Sequence, residues 1–287
     1  MTKDHMRQVA EQSIRERRLQ TSIGIAVTAI IALALLGIGA ATHPSHHSNQ
    51  PSGESSYASL QHISQRPSNA DATGGILFST DGHALTGVPT IEVYVDPLCP
   101  ACGQVDRVLN PTMERLFSAG QINMALHPIA FLDQASSDAY STRASAALAY
   151  VAEHDPKHLV AFMGTLLEQG FQPSETRFTP TDDARIVAQA MRAGVNGDTA
   201  RQSVSGEYTD WITASTAYTL SRKELRNPDR GGFATPLFRI NRHIWSMGNA
   251  QLPDLPDALL NSIGLPKADL GNPGVKPAVG PTGTPSD

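Results

Sequence analysis

The sequence predicts a mixed α/β domain with an α-helical insertion, preceded by a single N-terminal transmembrane helix. Runs of β-branched and apolar residues, typical of buried strands, lie on both sides of a long interval whose apolar residues have helical spacing. A stretch of 19 residues, 23–41, carries no charged side chain and is nearly as long as a membrane span requires. The 287-residue length allows one sizeable domain with additional segments.

The N-terminal segment indicates how the chain is oriented in a membrane. At about 1.5 Å per helical residue, residues 23–41 cover close to the ~30 Å hydrocarbon core. Lysine and arginine are frequent in residues 1–22, and neither reappears after the apolar stretch until Arg66. We therefore expect a cytoplasmic segment at 1–22, a single-pass signal anchor at 23–41 in the cell membrane, and an extracytoplasmic domain beyond it. A cleaved signal peptide is the alternative, although its apolar region is usually about 7–15 residues long.

Composition divides the remainder of the chain into three parts. Residues 42–73 are mostly polar and have too few apolar side chains to offset the entropy of ordering, so we expect a flexible linker. Residues 74–264 carry the strand and helix patterns and form the predicted folded domain. Residues 265–287 are rich in proline, glycine and threonine and are predicted to be disordered.

The elements of the folded domain follow in order along the chain. Residues 91–95 form a β-branched run that predicts a buried strand, and a helix is expected at about 102–117. Alternating apolar residues at 122–126 predict the next strand. From about 133 to 230, apolar residues recur three or four positions apart, which predicts an insertion made of helices. The last elements are two short strands joined by a turn, at 237–240 and 243–245, and a helix at 256–263.

Charge and cysteine content exclude several functional classes. The formal net charge is −5 with 17% charged residues, which gives no basic surface for nucleic acid. The chain has two cysteines, Cys99 and Cys102, so a framework of several disulfides cannot form. A structural zinc site normally takes four Cys or His ligands, so we predict no metal site. A redox-active pair is the interpretation that these observations favour.

The spacing of the pair explains why it should be reactive. Pro100 and Ala101 separate the two cysteines, directly after the strand at 91–95 and at the start of a helix. The free backbone N–H groups and the macrodipole at a helix N-terminus stabilise a thiolate, and lower a cysteine pKa from about 8.5 to roughly 3.5–7.5. Cys99 is therefore the expected nucleophile. Cys102 lies one turn further in and is the expected resolving thiol.

A second motif supports the first and carries a family resemblance. The sequence G-x-x-x-T-P ends at Pro236 and leads directly into a strand. A strand, CPxC, a helix, a helical insertion and this motif together resemble the DsbA-like thiol–disulfide oxidoreductases of the thioredoxin superfamily. The likeness covers about 74–264 and is strongest at 96–102 and 232–240. It implies a thioredoxin-like fold, a cis-proline at Pro236 beside the cysteines, and a Thr235 backbone that binds extended substrate.

The chain departs from this family at three points. Ala101 occupies a position where DsbA-type oxidants often have histidine, which favours a milder oxidant. Val93 occupies a position where many relatives carry a buried carboxylate. Glu92 and Asp96 are then the nearest candidates for proton transfer, although Glu92 alternates to the other face of the strand and Asp96 is also placed to cap the turn. The threonine before the proline resembles the isomerase branch, but residues 42–73 are too polar to form the dimerisation domain of those enzymes.

The resemblance implies an enzyme that exchanges disulfides with exported unfolded or thiol-containing proteins and uses no cofactor besides the Cys99–Cys102 disulfide. A membrane redox partner would recycle the pair. One alternative is a dedicated reductase, for example in cytochrome c maturation. A thioredoxin-fold copper-binding module is a second alternative, although such modules commonly use CxxxC with a distant histidine. The direction of electron flow depends on the reduction potential and the recycling partner.

Overall fold

One five-stranded sheet organises the described part of the chain, which comprises residues 53–80, 83–226, 232–247 and 250–286 of a computed structural model. The strands are β1 (Ile76–Phe78), β2 (Thr90–Val95), β3 (Asn123–Pro128), β4 (Leu237–Ile240) and β5 (His243–Trp245). Their order across the sheet is β1-β3-β2-β4-β5, with β2 and β3 parallel and the other pairs antiparallel. β2 is therefore central, and Val93 pairs with Leu126 on one side and Phe238 on the other.

Helices cover the sheet and form the insertion. They are α1 (Gly53–His62), α2 (Pro100–Ser118), α3 (Tyr140–His154), α4 (Leu159–Leu166), α5 (Asp183–Arg192), α6 (Gly197–Gln202), α7 (Thr209–Ser221) and α8 (Leu255–Ile263). α2 leaves the end of β2 and packs against α4 and α8. The helices α3 to α7 lie between β3 and β4, inside the predicted interval 133–230. The predicted mixed α/β fold with a helical insertion is thus confirmed.

The predicted linker at 42–73 is wrong in the part that the structure describes. Residues 53–62 form α1, which packs against α7. Leu60 is 1% exposed, and the ring of Tyr57 lies 5.1 Å from that of Tyr218. The burial of Leu60 and the ring contact of Tyr57 help to hold this mostly polar helix on the folded domain. Residues 42–52 lie outside the described residues.

The predicted disorder of 265–287 is also wrong for the residues described. The amide of Gln121 donates hydrogen bonds to the carbonyls of Asp269, Asn272 and Val275, at 2.9, 3.1 and 2.9 Å. Asn241 likewise donates to the carbonyls of Gly280 and Gly283. Side-chain amides from the folded domain thus satisfy the backbone of a segment too rich in proline and glycine for regular structure.

The two N-terminal predictions, a cytoplasmic segment at 1–22 and a membrane anchor at 23–41, lie outside the described residues. Among the residues that are described, no helix combines the length and the apolar character needed to cross a membrane.

Candidate active site

The two cysteines lie at the junction of β2 and α2, as predicted. Cys99 is the N-cap of α2 with extended backbone, and Pro100 is the first helical residue, where its fixed φ suits the helix and its missing N–H costs nothing. Both cysteines are free thiols. Both are buried, but Cys99 is 7% exposed and Cys102 only 1%, so the first cysteine is the more accessible of the two.

The two thiols differ sharply in acidity. The pKa of Cys99 is lowered to about 7, chiefly because Cys102 hydrogen-bonds to its sulfur, with the backbone N–H groups of Ala101 and Cys102 acting in the same direction against burial. No side chain caps α2, which leaves these amides free for the sulfur. Burial raises the pKa of Cys102 well above its usual value, and the neighbouring Cys99 adds to the rise. Cys99 is therefore the more reactive thiol at neutral pH.

The proline motif lies opposite the cysteines. The Thr235–Pro236 peptide bond is cis. The Cys99 thiol donates a hydrogen bond to the Thr235 carbonyl, with Sγ and O 3.6 Å apart. Pro236 lines a cavity together with Cys102. Two motifs about 135 residues apart in sequence thus meet at one site, with the Thr235 backbone beside the reactive sulfur.

The two predicted proton-transfer candidates occupy different places. Asp96 is fully buried at the end of β2, where its carboxylate accepts hydrogen bonds from the amides of Leu98 and Leu132 and from the Ser141 hydroxyl, at 2.9, 3.0 and 2.6 Å. Burial raises the pKa of Asp96 to about 7, although all three hydrogen bonds oppose the rise. These bonds tie the turn before Cys99 to the helical insertion.

Glu92 lies on the opposite face of β2 from the cysteines. Successive side chains of a strand alternate, and Val93 and Val95 are the ones that face Cys102. Glu92 instead forms a buried ion pair with Arg239, with Nη1 and Oε2 2.9 Å apart, and accepts a hydrogen bond from the Tyr94 hydroxyl at 3.2 Å. The structure therefore does not bring Glu92 to the thiols.

Comparison with known proteins shows what the chain is similar to. No protein-family model matches the chain. The serine/threonine-protein kinase PknE of Mycobacterium tuberculosis is 32% identical over 145 residues, which is 50% of this chain and 25% of the kinase. The chain thus spans about a quarter of the length of the curated relatives that it matches.

Solved structures extend the likeness over the folded domain. The reduced DsbA of Mycobacterium tuberculosis matches with a TM-score of 0.52 and 25% identity, over 64% of this chain and 97% of that one. The reduced disulfide bond oxidoreductase DsbG of the same organism matches with a TM-score of 0.50 and 25% identity, over 64% and 91%. The chain is similar to DsbA-like thiol–disulfide oxidoreductases. The predicted resemblance to the thioredoxin superfamily is confirmed.

Gln172 lies at the site, and the sequence did not reveal it. Its side-chain amide donates hydrogen bonds to the carbonyls of Pro97 and Cys99, at 3.1 and 2.9 Å. It approaches so closely that a Cβ added to Gly103 would lie 2.1 Å from its Oε1. A glutamine in a loop some 70 residues away carries no sequence signal for such a contact.

Asp106 is the second residue that was missed. It follows Cys102 by four positions on α2, so the two side chains share one face of the helix. Both line the same small cavity, with Pro236. This spacing was available in the sequence, because a carboxyl one turn after a helical cysteine lies on the same face of the helix.

Proposed function

We propose that the chain is a membrane-anchored, extracytoplasmic thiol–disulfide oxidoreductase that exchanges disulfides with exported proteins through its CPAC motif. The observation that carries the proposal is the Cys99 thiol, acidic at neutral pH and 3.6 Å from the carbonyl of Thr235. The uncharged stretch at 23–41 and the basic residues before it support the anchor and the orientation.

The proposed exchange takes place in two steps. With the pair oxidised, a substrate thiolate attacks Sγ of Cys99, the Cys99–Cys102 bond breaks, and Cys102 leaves as a thiolate that takes up a proton. A second substrate thiolate then attacks the substrate sulfur of the mixed disulfide and releases the Cys99 thiolate. The substrate loses two electrons and gains a disulfide, and the cysteine pair is reduced.

The Thr235 backbone would hold the substrate during this exchange. An extended peptide that adds to an exposed backbone edge gains main-chain hydrogen bonds whatever its side chains are. Such binding suits an enzyme that accepts many exported proteins with free thiols. A membrane redox partner would re-oxidise the pair after each turnover.

The reverse direction is the second candidate. The reduced Cys99 thiolate would attack a substrate disulfide and Cys102 would resolve the mixed disulfide, as in a dedicated reductase. Ala101 favours a milder oxidant, because it offers no side-chain charge or hydrogen bond to a thiolate. The reduction potential separates the two directions.

Two measurements on the full chain test the proposal. Equilibration with glutathione redox buffers should give a potential more oxidising than the glutathione couple, and a potential well below it would favour the reductase. In cells, Cys102→Ala should trap exported proteins as mixed disulfides on Cys99, because the resolving thiol is gone. The matched variant Cys99→Ala keeps one thiol in the site and should trap none. Equal trapping by both variants, or none by either, would contradict the proposal.

A further inference from the structure

Asp106 is a buried carboxyl whose hydrogen-bonding capacity is largely unused. The residue is 8% exposed. One oxygen, Oδ1, accepts a single long hydrogen bond from the Asn110 amide at 3.4 Å, and Oδ2 has no hydrogen-bond partner among the described residues. Buried polar groups are normally paired, so an unpaired oxygen of this kind calls for a functional explanation.

The unused carboxyl lies at a cavity that it shares with the resolving thiol. The cavity has a volume of about 20 Å³, which is enough for one water molecule. Its other walls come from strands β2 and β4, from the cis-proline, from the end of α4 and from further residues of α2 itself. They are formed by Val93, Val95, Leu109, Asn110, Met113, Met163, Leu167, Pro236 and Phe238.

We propose that Asp106 is the proton acceptor and proton donor for Cys102, acting through one water molecule in this cavity. This inference rests on the proposed disulfide exchange. When Cys102 leaves as a thiolate, the water protonates its sulfur and takes the Asp106 proton, so the products are a thiol and a carboxylate. When Cys102 attacks a mixed disulfide, the same protons move back. The Cys102 sulfur forms its bond to Sγ of Cys99 while the bond from Cys99 to the substrate sulfur breaks, and the substrate leaves as a thiolate.

The surroundings make such a relay necessary for Cys102. A thiolate inside an apolar pocket is costly, and burial raises the pKa of Cys102 well above its usual value. Cys102 is 1% exposed, so bulk water cannot reach its sulfur directly. A group inside the cavity must therefore hold the proton while the disulfide forms or breaks.

The acidity of Asp106 suits both directions. Burial raises its pKa to about 7, with the Asn110 hydrogen bond and Arg107 opposing the rise and Glu114 adding to it. Arg107 and Glu114 lie on the same helix as Asp106. Among the described residues, the neighbouring elements β2, β4 and α4 present apolar side chains to the cavity. Both protonation states of Asp106 are thus populated near neutral pH, which is the condition for efficient proton transfer.

Asp96 is the competing carboxyl, and its contacts assign it another role. Three donors occupy its two oxygens and hold the turn before Cys99. Val93 occupies the strand position that faces the same cavity as Asp106. The carboxyl that lines this cavity is therefore Asp106 on α2, because the strand β2 contributes only apolar side chains to it.

The test follows the reaction of the reduced full chain with oxidised glutathione, by acid quenching and mass spectrometry, from pH 5 to 9. The first step, attack by Cys99, should be equal in the parent and in Asp106→Asn. The second step, resolution by Cys102, should slow about 100-fold at pH 7 in the variant, so the glutathione adduct accumulates. In the parent this rate should level off above about pH 7, whereas in the variant it should keep rising with pH.

Two controls give each outcome a meaning. Asp210→Asn makes the same carboxyl-to-amide change at an exposed position of α7 and should resolve the adduct at the parental rate. Thermal unfolding verifies that each variant is folded. A parental pH profile for Asp106→Asn, or equal slowing of both steps, would overturn the assignment of Asp106. Failure of the parent chain to form any adduct would instead contradict the proposed function itself.

Discussion

The buried ionisable groups on the two sides of strand β2 differ in how fully they are hydrogen-bonded or ion-paired. On the face away from the cysteines, Glu92 pairs with Arg239 at 2.9 Å, and Arg222 donates to the Tyr94 hydroxyl at 3.2 Å. The His127 ring stacks on Tyr94, 4.0 Å between ring centres. Burial lowers the pKa of His127 to about 3, so the ring stays neutral although its Nδ1 has no hydrogen-bond partner among the described residues. On the cysteine face, the cavity beside Val93 contains a carboxyl with one long hydrogen bond.

The difference separates a structural cluster from a reactive one. Groups that are mutually paired hold a fixed charge state, and moving a proton among them would break several contacts at once. A carboxyl with an unused oxygen can gain or lose a proton with little rearrangement. We therefore assign the Glu92 side of the sheet to stability and the Asp106 side to chemistry.

The largest expected effect comes from breaking the buried ion pair between Glu92 and Arg239. Glu92→Gln should lower the free energy of unfolding by about 3–5 kcal/mol, because it leaves the Arg239 guanidinium buried without its counter-charge. Urea unfolding at pH 7 measures this loss. The matched variant Glu168→Gln removes one charge of an ion pair with Arg192 in which both side chains are exposed, and it should leave the free energy of unfolding nearly unchanged. Similar losses for both variants would show that the buried pair has no special weight.

The next expected effect is a gain in stability rather than a loss. An aspartate titrates near pH 3.9 in the unfolded chain and at about 7 when Asp106 is folded. The native state therefore binds this proton more tightly, and stability falls as pH rises from about 4 to about 7. Because asparagine cannot ionise, Asp106→Asn should be more stable than the parent by about 2–4 kcal/mol at pH 8. Denaturant unfolding should show the gain vanish near pH 4, and a gain independent of pH would refute the burial of an ionisable proton.

The smallest expected effect concerns the hydrogen bonds from the Gln172 side chain to the turn that contains Cys99. Gln172→Ala removes two neutral hydrogen bonds to the carbonyls of Pro97 and Cys99, and should cost about 1–2 kcal/mol at any pH between 5 and 8. Gln169→Ala in the same loop is the control and should be nearly neutral. Thermal unfolding compares the two. A pH-dependent loss for Gln172→Ala would mean that these hydrogen bonds act through an ionisable group.

The sequence was sufficient for the parts of the fold that short patterns encode. The β-branched run before Cys99, the helix after it and the threonine–proline motif each have a local cause, and their order was enough to bring them to one site. The alternation of β2 also foretold that Glu92 would face away. The four-residue spacing from Cys102 to Asp106 was also present in the sequence, but no prediction was made from it.

The errors arose where distant side chains supply what a segment lacks. Residues 53–62 and the stretch after residue 265 look unable to order themselves, and alone they have few apolar groups. The ring of Tyr218 contacts Tyr57 of the first, and the amides of Gln121 and Asn241 provide hydrogen bonds for the second. Composition describes a segment by itself, so it cannot register a partner 150 residues away.

The close approach of Gln172 to Gly103 has a consequence for inheritance. Any side chain at position 103 would occupy the space of the Gln172 amide, so Gly103→Ala should displace that amide as effectively as deleting it. The two positions would then covary among descendants of this chain, although no bond joins their side chains. Once a side chain is present at position 103, glutamine at position 172 can no longer form its hydrogen bonds, so selection for it is lost. We therefore expect glutamine at 172 only where glycine is present at 103.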